Sequence, residues 1–306
     1  SVSGEGTVKY TNGFANINIQ NNTDKELVVN NLANDRLNGQ FTNRGTLASD
    51  KIINQGHNEA ITNIESNGKI SIAGFLKHGH NKLNTDGIGL LTIKSENGIV
   101  VNEKLGSQGE LLATIDSVGN AKFENGNNSG VVINGKVLNN GNLNLKNNGS
   151  EGVVVNSIIE NTNGTLKLDN TKGNVTIAQT GTLQNSNGNI EINNAGEGKV
   201  SVIGKIKNLI KGDTKINSQG ASGVEIIGVI SSTNGSVDII NKKGGVKVSG
   251  SVENAKGKIS LKNDGADGVR LTSTGKIDNK NGLTEITNTN GAVIIEKNAK
   301  LLNNNG

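Results

Sequence analysis

Three histidines and no cysteine are the soft-ligand stock of this 306-residue chain. All three, His57, His78 and His80, fall in or beside a region where the chain's regular spacing is stretched. His78-Gly79-His80 could offer two imidazoles to a metal ion, yet no carboxylate at a fitting spacing joins the pair. His78 also stands two residues after Leu76, where later units place an asparagine, so its context is a strand end. The acidic residues Asp213, Asp238, Asp264 and Asp267 are scattered over corners and outward positions, as solvated surface is, rather than paired as general acid and base. No activated-nucleophile motif, phosphate-cradling loop or calcium-binding nonapeptide is present. The chemistry to expect is therefore binding: no enzyme, no cofactor and no metal site. Its candidate residues are His57, His80, Lys82 and Asp86, grouped on one loop face.

The elements that must position such loops are legible from about residue 130 onward as a repeat of roughly 23 residues. Each unit carries three apolar rows in fixed order. A paired row reads Val131/Ile133, Val153/Val155, Val175/Ile177, Val200/Val202, Val224/Ile226, Val246/Val248, Val269/Leu271 and Val293/Ile295. A single row follows, at Val137, Ile159, Leu183, Ile206, Ile230, Val252, Ile277 and Leu301, with Asn or Ser two residues later. A Gly-led row closes the unit, as in Gly141-Leu143-Leu145-Asn147, Gly188-Ile190-Ile192-Asn194 and Gly257-Ile259-Leu261-Asn263.

Apolar residues two apart share one face of a strand, and an asparagine two further on shares it too. Two or three such residues bury too little to fold alone. Stacked coils in parallel register place each on its counterpart about 4.8 Å away and make the core continuous. The spacing thus predicts an all-β parallel β-helix with three short strands per coil, about 23 residues per regular coil and about 29–32 in the N-terminal coils. A right-handed coil is expected from the handedness of parallel crossovers. The inward asparagines are expected to form ladders, each amide bonding its counterpart in the next coil.

Upstream, residues 1–130 keep the rows but stretch them, and residues 131–306 form the regular part of one continuous solenoid. Leu47, Leu76 and Leu105 extend the single row at 29-residue steps, and Ile70/Ile72 and Ile99/Val101 extend the paired row at the same step. On that register three loops, about 48–60, 77–90 and 106–120, leave one corner of consecutive coils. Insertions in repeat proteins collect on one face, often the binding face; a buttress of extra strands is the alternative. Ile17-Ile19-Asn21 reads as a further strand with its ladder asparagine, and Leu27-Val28-Val29 as part of another. Both end coils are expected to leave strand edges unpaired.

Composition fits a solenoid: 43 glycines, 2% aromatic residues, and no Pro, Cys, Met or Trp. Proline would remove a ladder donor from fully paired strands. The net charge of +4, with Arg36, Arg44 and Arg270 as the only arginines, argues against a nucleic-acid partner. No apolar run is long enough for a membrane span. The sequence starts at Ser1 without a signal peptide and stops in mid-unit at Gly306, which reads as a segment of a longer protein.

Coils such as Gly198 to Ser218 and Gly245 to Asn263, and the stretch from Ile17 to Asn30, resemble the shaft of filamentous-haemagglutinin-like exoproteins of Gram-negative two-partner secretion systems. The resemblance covers most of the chain. It implies a large secreted or cell-surface virulence protein, with a host-cell receptor or glycan as partner. It also implies an outer-membrane transporter that reads a separate N-terminal secretion domain. That domain usually carries Asn-Pro-Asn, and this chain has no proline, so the segment is expected to lie downstream of it. Within the family a host-cell adhesin is the first expectation and a leukotoxin or haemolysin the alternative. A β-helix polysaccharide lyase or hydrolase ranks below both, since it would need outward Asp, Arg or Lys clustered on one sheet.

Overall fold

Alternation along each segment determines its strand. In Leu166–Asn170 and Ile190–Asn194 residues run buried, half-exposed, buried, half-exposed, buried, the signature of a pleat with one face inward. The computed structural model describes residues 2–3, 6–11, 16–22, 24–29, 32–34, 52–53, 61–74, 76–78, 90–103, 113–126 and 128–306. Among these residues there is no helix, and the three rows become three parallel sheets. The fold is an all-β parallel β-helix solenoid.

Two compact units are distinguished. In the unit formed by residues 151–158 and 162–306, the paired row stacks in register, Val175 on Val200, Val200 on Val224 and Val224 on Val246. The Gly-led and single rows do the same, Ile216 on Ile239 and Ile206 on Ile230. Successive coils are 22 to 25 residues apart, from Val153 to Val175 at the short end and Val175 to Val200 at the long end. Burying each of these Val and Ile side chains stabilises the coil by about 1.5–3 kcal/mol, and no coil buries them without its neighbours. In the last coil Val293, Ile295 and Leu301 are 42–49% exposed.

The unit formed by residues 1–150 and 159–161 has the same three sheets on longer coils. Leu27–Val29, Ile70–Ile72, Ile99–Val101 and Gly130–Ile133 stack as the paired row. Asn16–Asn21, Ile61–Ser66, Leu90–Ser95 and Asn120–Asn125 continue the Gly-led row, so Ile17, Ile19 and Asn21 do form a strand in register. One edge departs from expectation. Gly6–Thr11 lies antiparallel on Asn16–Asn21, and Val2–Ser3 antiparallel on Leu27–Val29, so the strands expected to be unpaired there are covered.

The single row also needs a correction. Its member between Leu76 and Val137 is Ile115, not Leu105: Ile115 stands opposite both, in the strand Ala113–Val118. Upstream, Leu76 stands opposite Leu32, and Leu32 opposite Ile52 in the extra short strand Ile52–Ile53. Leu47 and Leu105 lie outside the described residues.

Glycine at the corner before each Gly-led strand is required by geometry. Gly235 has φ +144°, and a Cβ there would overlap the carbonyl oxygen of Gly212 in the preceding coil.

Candidate functional site

His57, His80, Lys82 and Asp86 all lie outside the described residues, as do 54–60 and 79–89. What the structure places is the frame around them. The strand Leu76–His78 ends at His78, whose backbone stands in register with Asn34 and Ser117, and the chain returns at Leu90. Segment 54–60, after the short strand Ile52–Ile53, and segment 79–89 thus each connect a single-row strand to a Gly-led strand. Segment 104–112 does not join them: it connects Ile99–Val101 to Ala113–Val118, from the paired row to the single row, at a different corner. Within the expected loop 106–120, residues 113–118 are the strand Ala113–Val118 and Asn120 begins the strand Asn120–Asn125.

The inward asparagines divide into two kinds. In the Gly-led row they form ladders. Asn125 Nδ2 donates to Asn147 Oδ1 at 2.7 Å, and Asn170 Nδ2 to Asn194 Oδ1 at 2.8 Å. Their other amide proton goes to the loop that follows, as from Asn170 to the Gly173 carbonyl at 3.1 Å. In the single row a ladder bond is present between Asn139 and Asn161, at 2.8 Å. Asn185, Asn208, Asn254 and Asn279 instead spend both protons on backbone. Asn254 Nδ2 donates to the Gly235 carbonyl at 2.9 Å and the Lys258 carbonyl at 3.4 Å, and Asn279 repeats this to Gly257 and Leu283. An amide with two protons cannot also donate to a ladder, so these residues fasten the corner, and the Oδ1 of Asn208, Asn254 and Asn279 has no hydrogen-bond donor.

Outward residues carry charge in columns. Glu225 receives Lys199 at 2.9 Å and Lys247 at 3.0 Å. Hydrogen bonds from Lys199, then Lys247, hold its carboxyl below the ordinary value against the opposing effect of burial. Beside it Arg270 pairs with Glu296 at 2.5 Å. A shallow depression of about 260 Å³ lies along Lys199, Glu225, Lys247, Asp267 and Arg270. On the Gly-led sheet burial raises the Asp238 pKa, opposed by Lys258. Among the described residues no three His, Cys, Asp or Glu side chains come together as metal ligands. Among the described residues no helix is long and apolar enough to cross a membrane.

These features define the chain as a parallel β-solenoid whose outer faces are charge-laddered sheets. Comparison with known proteins adds no relative: no protein-family model matches the chain, and no curated protein and no solved structure matches it significantly.

Proposed function

We propose that this chain is a structural and interaction shaft of a large secreted or surface-exposed bacterial exoprotein that mediates host-cell adhesion, without enzymatic activity. The observation that carries the reading is the register itself. Val200, Val224, Val246 and Val269 stack coil on coil, so each coil adds about 4.8 Å of rod and another row of outward side chains. Such a body displays surface at a distance, with inward asparagines such as Asn125 and Asn170 in ladders and outward carboxylates such as Glu225 and Glu296 in ion pairs. The resemblance of its coils to filamentous-haemagglutinin-like shafts supports a two-partner secretion route, with an outer-membrane transporter as export partner and a host receptor or glycan as target.

The test is binding of the purified chain to cultured epithelial cells and to leukocytes. Saturable binding to epithelial cells supports adhesion, and binding confined to leukocytes favours the toxin class. Absence of binding to either, or cleavage of an acidic polysaccharide, overturns the reading.

A further inference from the structure

On the single-row sheet of the second unit, one strand carries lysines between two uncharged neighbours. Lys276 on that sheet is paired with Asp278 at 2.8 Å and Glu253 at 3.2 Å. Among the described residues Lys205 and Lys207 have no ion-pair partner, and the reason is visible in the register. Lys205 stands between Thr182 and Val229, and Lys207 between Gln184 and Ser231, so every cross-strand neighbour is uncharged. Lying two residues apart on one strand, both lysines leave the same face.

The same coil carries a bulge. Asn208 pairs with Asn185 and Lys211 with Asn187, so Leu209 and Ile210 stand against Ser186 alone. The extra residue pushes both side chains outward, Leu209 to 40% and Ile210 to 55% exposure. Lys211 beside them is exposed, and among the described residues it has no ion-pair partner. The nearest carboxylate along the chain, Asp213, accepts the Ser236 amide at 2.7 Å. At the opposite corner of the face, Ile203 and Ile227 follow equivalent strands of adjacent coils and are also exposed. Among the described residues outside the last coil, four of the six large exposed apolar residues border this one face.

We infer that the face formed by Lys205, Lys207, Lys211 and the Leu209-Ile210 bulge is a docking surface for an anionic lipid bilayer. The pattern favours lipid over an acidic protein partner. Protein interfaces place apolar anchors at the centre inside a polar rim. Here the order is reversed: lysines occupy the centre of a sheet face and aliphatic side chains its two margins. A bilayer surface meets that arrangement, with anionic headgroups over the lysines and the margins reaching the acyl boundary. The inference does not require cell adhesion, because it can be read on vesicles alone.

The experiment is co-sedimentation of the full chain with phosphatidylcholine vesicles with and without phosphatidylserine. Binding is expected with phosphatidylserine only, and it should weaken as salt is raised. Lys205→Glu/Lys207→Glu/Lys211→Glu should lower partition by at least about a hundredfold, taking the lost attraction of each lysine as about fivefold and the added carboxylates as repelled. Leu209→Ser/Ile210→Ser should lower it at unchanged charge. Each variant is compared at equal melting temperature, and if the triple variant does not fold, Lys207→Glu alone should give the fivefold loss. Equal binding to neutral and anionic vesicles, unchanged binding by the folded variants, or capture of a poly-glutamate peptide with no vesicle binding overturns the inference.

Discussion

Asn170 and Asn194, 24 residues apart in sequence, meet inside the solenoid at the ends of adjacent strands, where Asn170 Nδ2 donates to Asn194 Oδ1 at 2.8 Å. A buried amide left without that partner costs about 1–3 kcal/mol, so the bond specifies register as well as stability. The ladder stops where the sequence stops supplying asparagine. Ser218 follows Asn194 in register, and beyond it the Oδ1 of Asn241 is buried without a donor.

Ser218→Asn should therefore be stabilising. Its Nδ2 would donate to Asn241 Oδ1, its Oδ1 could still accept the Gly220 amide now bound by the serine at 3.2 Å, as Asn147 does for Gly149, and Asn194 could donate to it by giving up the longer of its two backbone bonds, to the Gly196 carbonyl at 3.3 Å. A gain of about 0.5–1.5 kcal/mol in thermal or denaturant unfolding is expected. A loss would show that the gap is a steric requirement.

Gly235→Ala should destabilise. The backbone at φ +144° lies in the region that favours glycine, and the new methyl would press on the Gly212 carbonyl. A cost of about 1–3 kcal/mol is expected from strain alone. Unchanged unfolding would mean that the corner relaxes freely.

Glu225 sets an acid limb of stability. Its folded pKa is depressed, so the contribution is present above the ordinary value of 4.5 and is lost as pH falls through the folded value. Glu225→Gln should lower stability at neutral pH by about 0.2–1 kcal/mol, with the difference from wild type vanishing in acid. Asp238 has the opposite sign: its raised pKa makes the folded state bind protons more readily. Asp238→Asn should stabilise at neutral pH and cease to do so as pH falls. Unfolding curves across pH read both.

The loop at 79–89 should be dispensable for folding. Deleting 79–87 leaves Ile88-Gly89-Leu90 between His78 and Leu91, the same spacing as Asn140-Gly141-Asn142 between Asn139 and Leu143. Cooperative unfolding with an unchanged circular dichroism spectrum is expected, with loss of any cell binding that depends on His80, Lys82 or Asp86. Global unfolding would make the segment a structural buttress.

How far the fold could be read depended on repetition. The paired row was legible because Val175, Val200, Val224 and Val246 recur within a narrow spacing, and eight copies average out the exceptions. Residues 1–130 offer few comparisons, and there the constant 29-residue step selected Leu105. Ile115 was hidden because serine stands two residues after both candidates, Ser107 after Leu105 and Ser117 after Ile115, so that mark does not separate them. The signal that identifies it is the six residues from Ile115 to Ala121, which match Val137 to Leu143. The corner role of Asn254 and Asn279 was not legible, since sequence gives an inward amide but not which carbonyls compete for its protons. The antiparallel Gly6–Thr11 lacks the row pattern because it is not a coil strand. Of the loop face the frame alone is visible, while the Lys205–Lys211 face was missed because its signal lies in which cross-strand neighbours are uncharged.

The shared core is the central claim, and Val224→Asp tests it most directly. Val224 is 2% exposed and stacked between Val200 and Val246. A buried unpaired carboxylate there should lower stability by several kcal/mol and accelerate amide hydrogen exchange in Val200–Val202 and Gly245–Val248 as well as in Val224–Ile226. Unchanged melting, with faster exchange confined to Val224–Ile226, would contradict it.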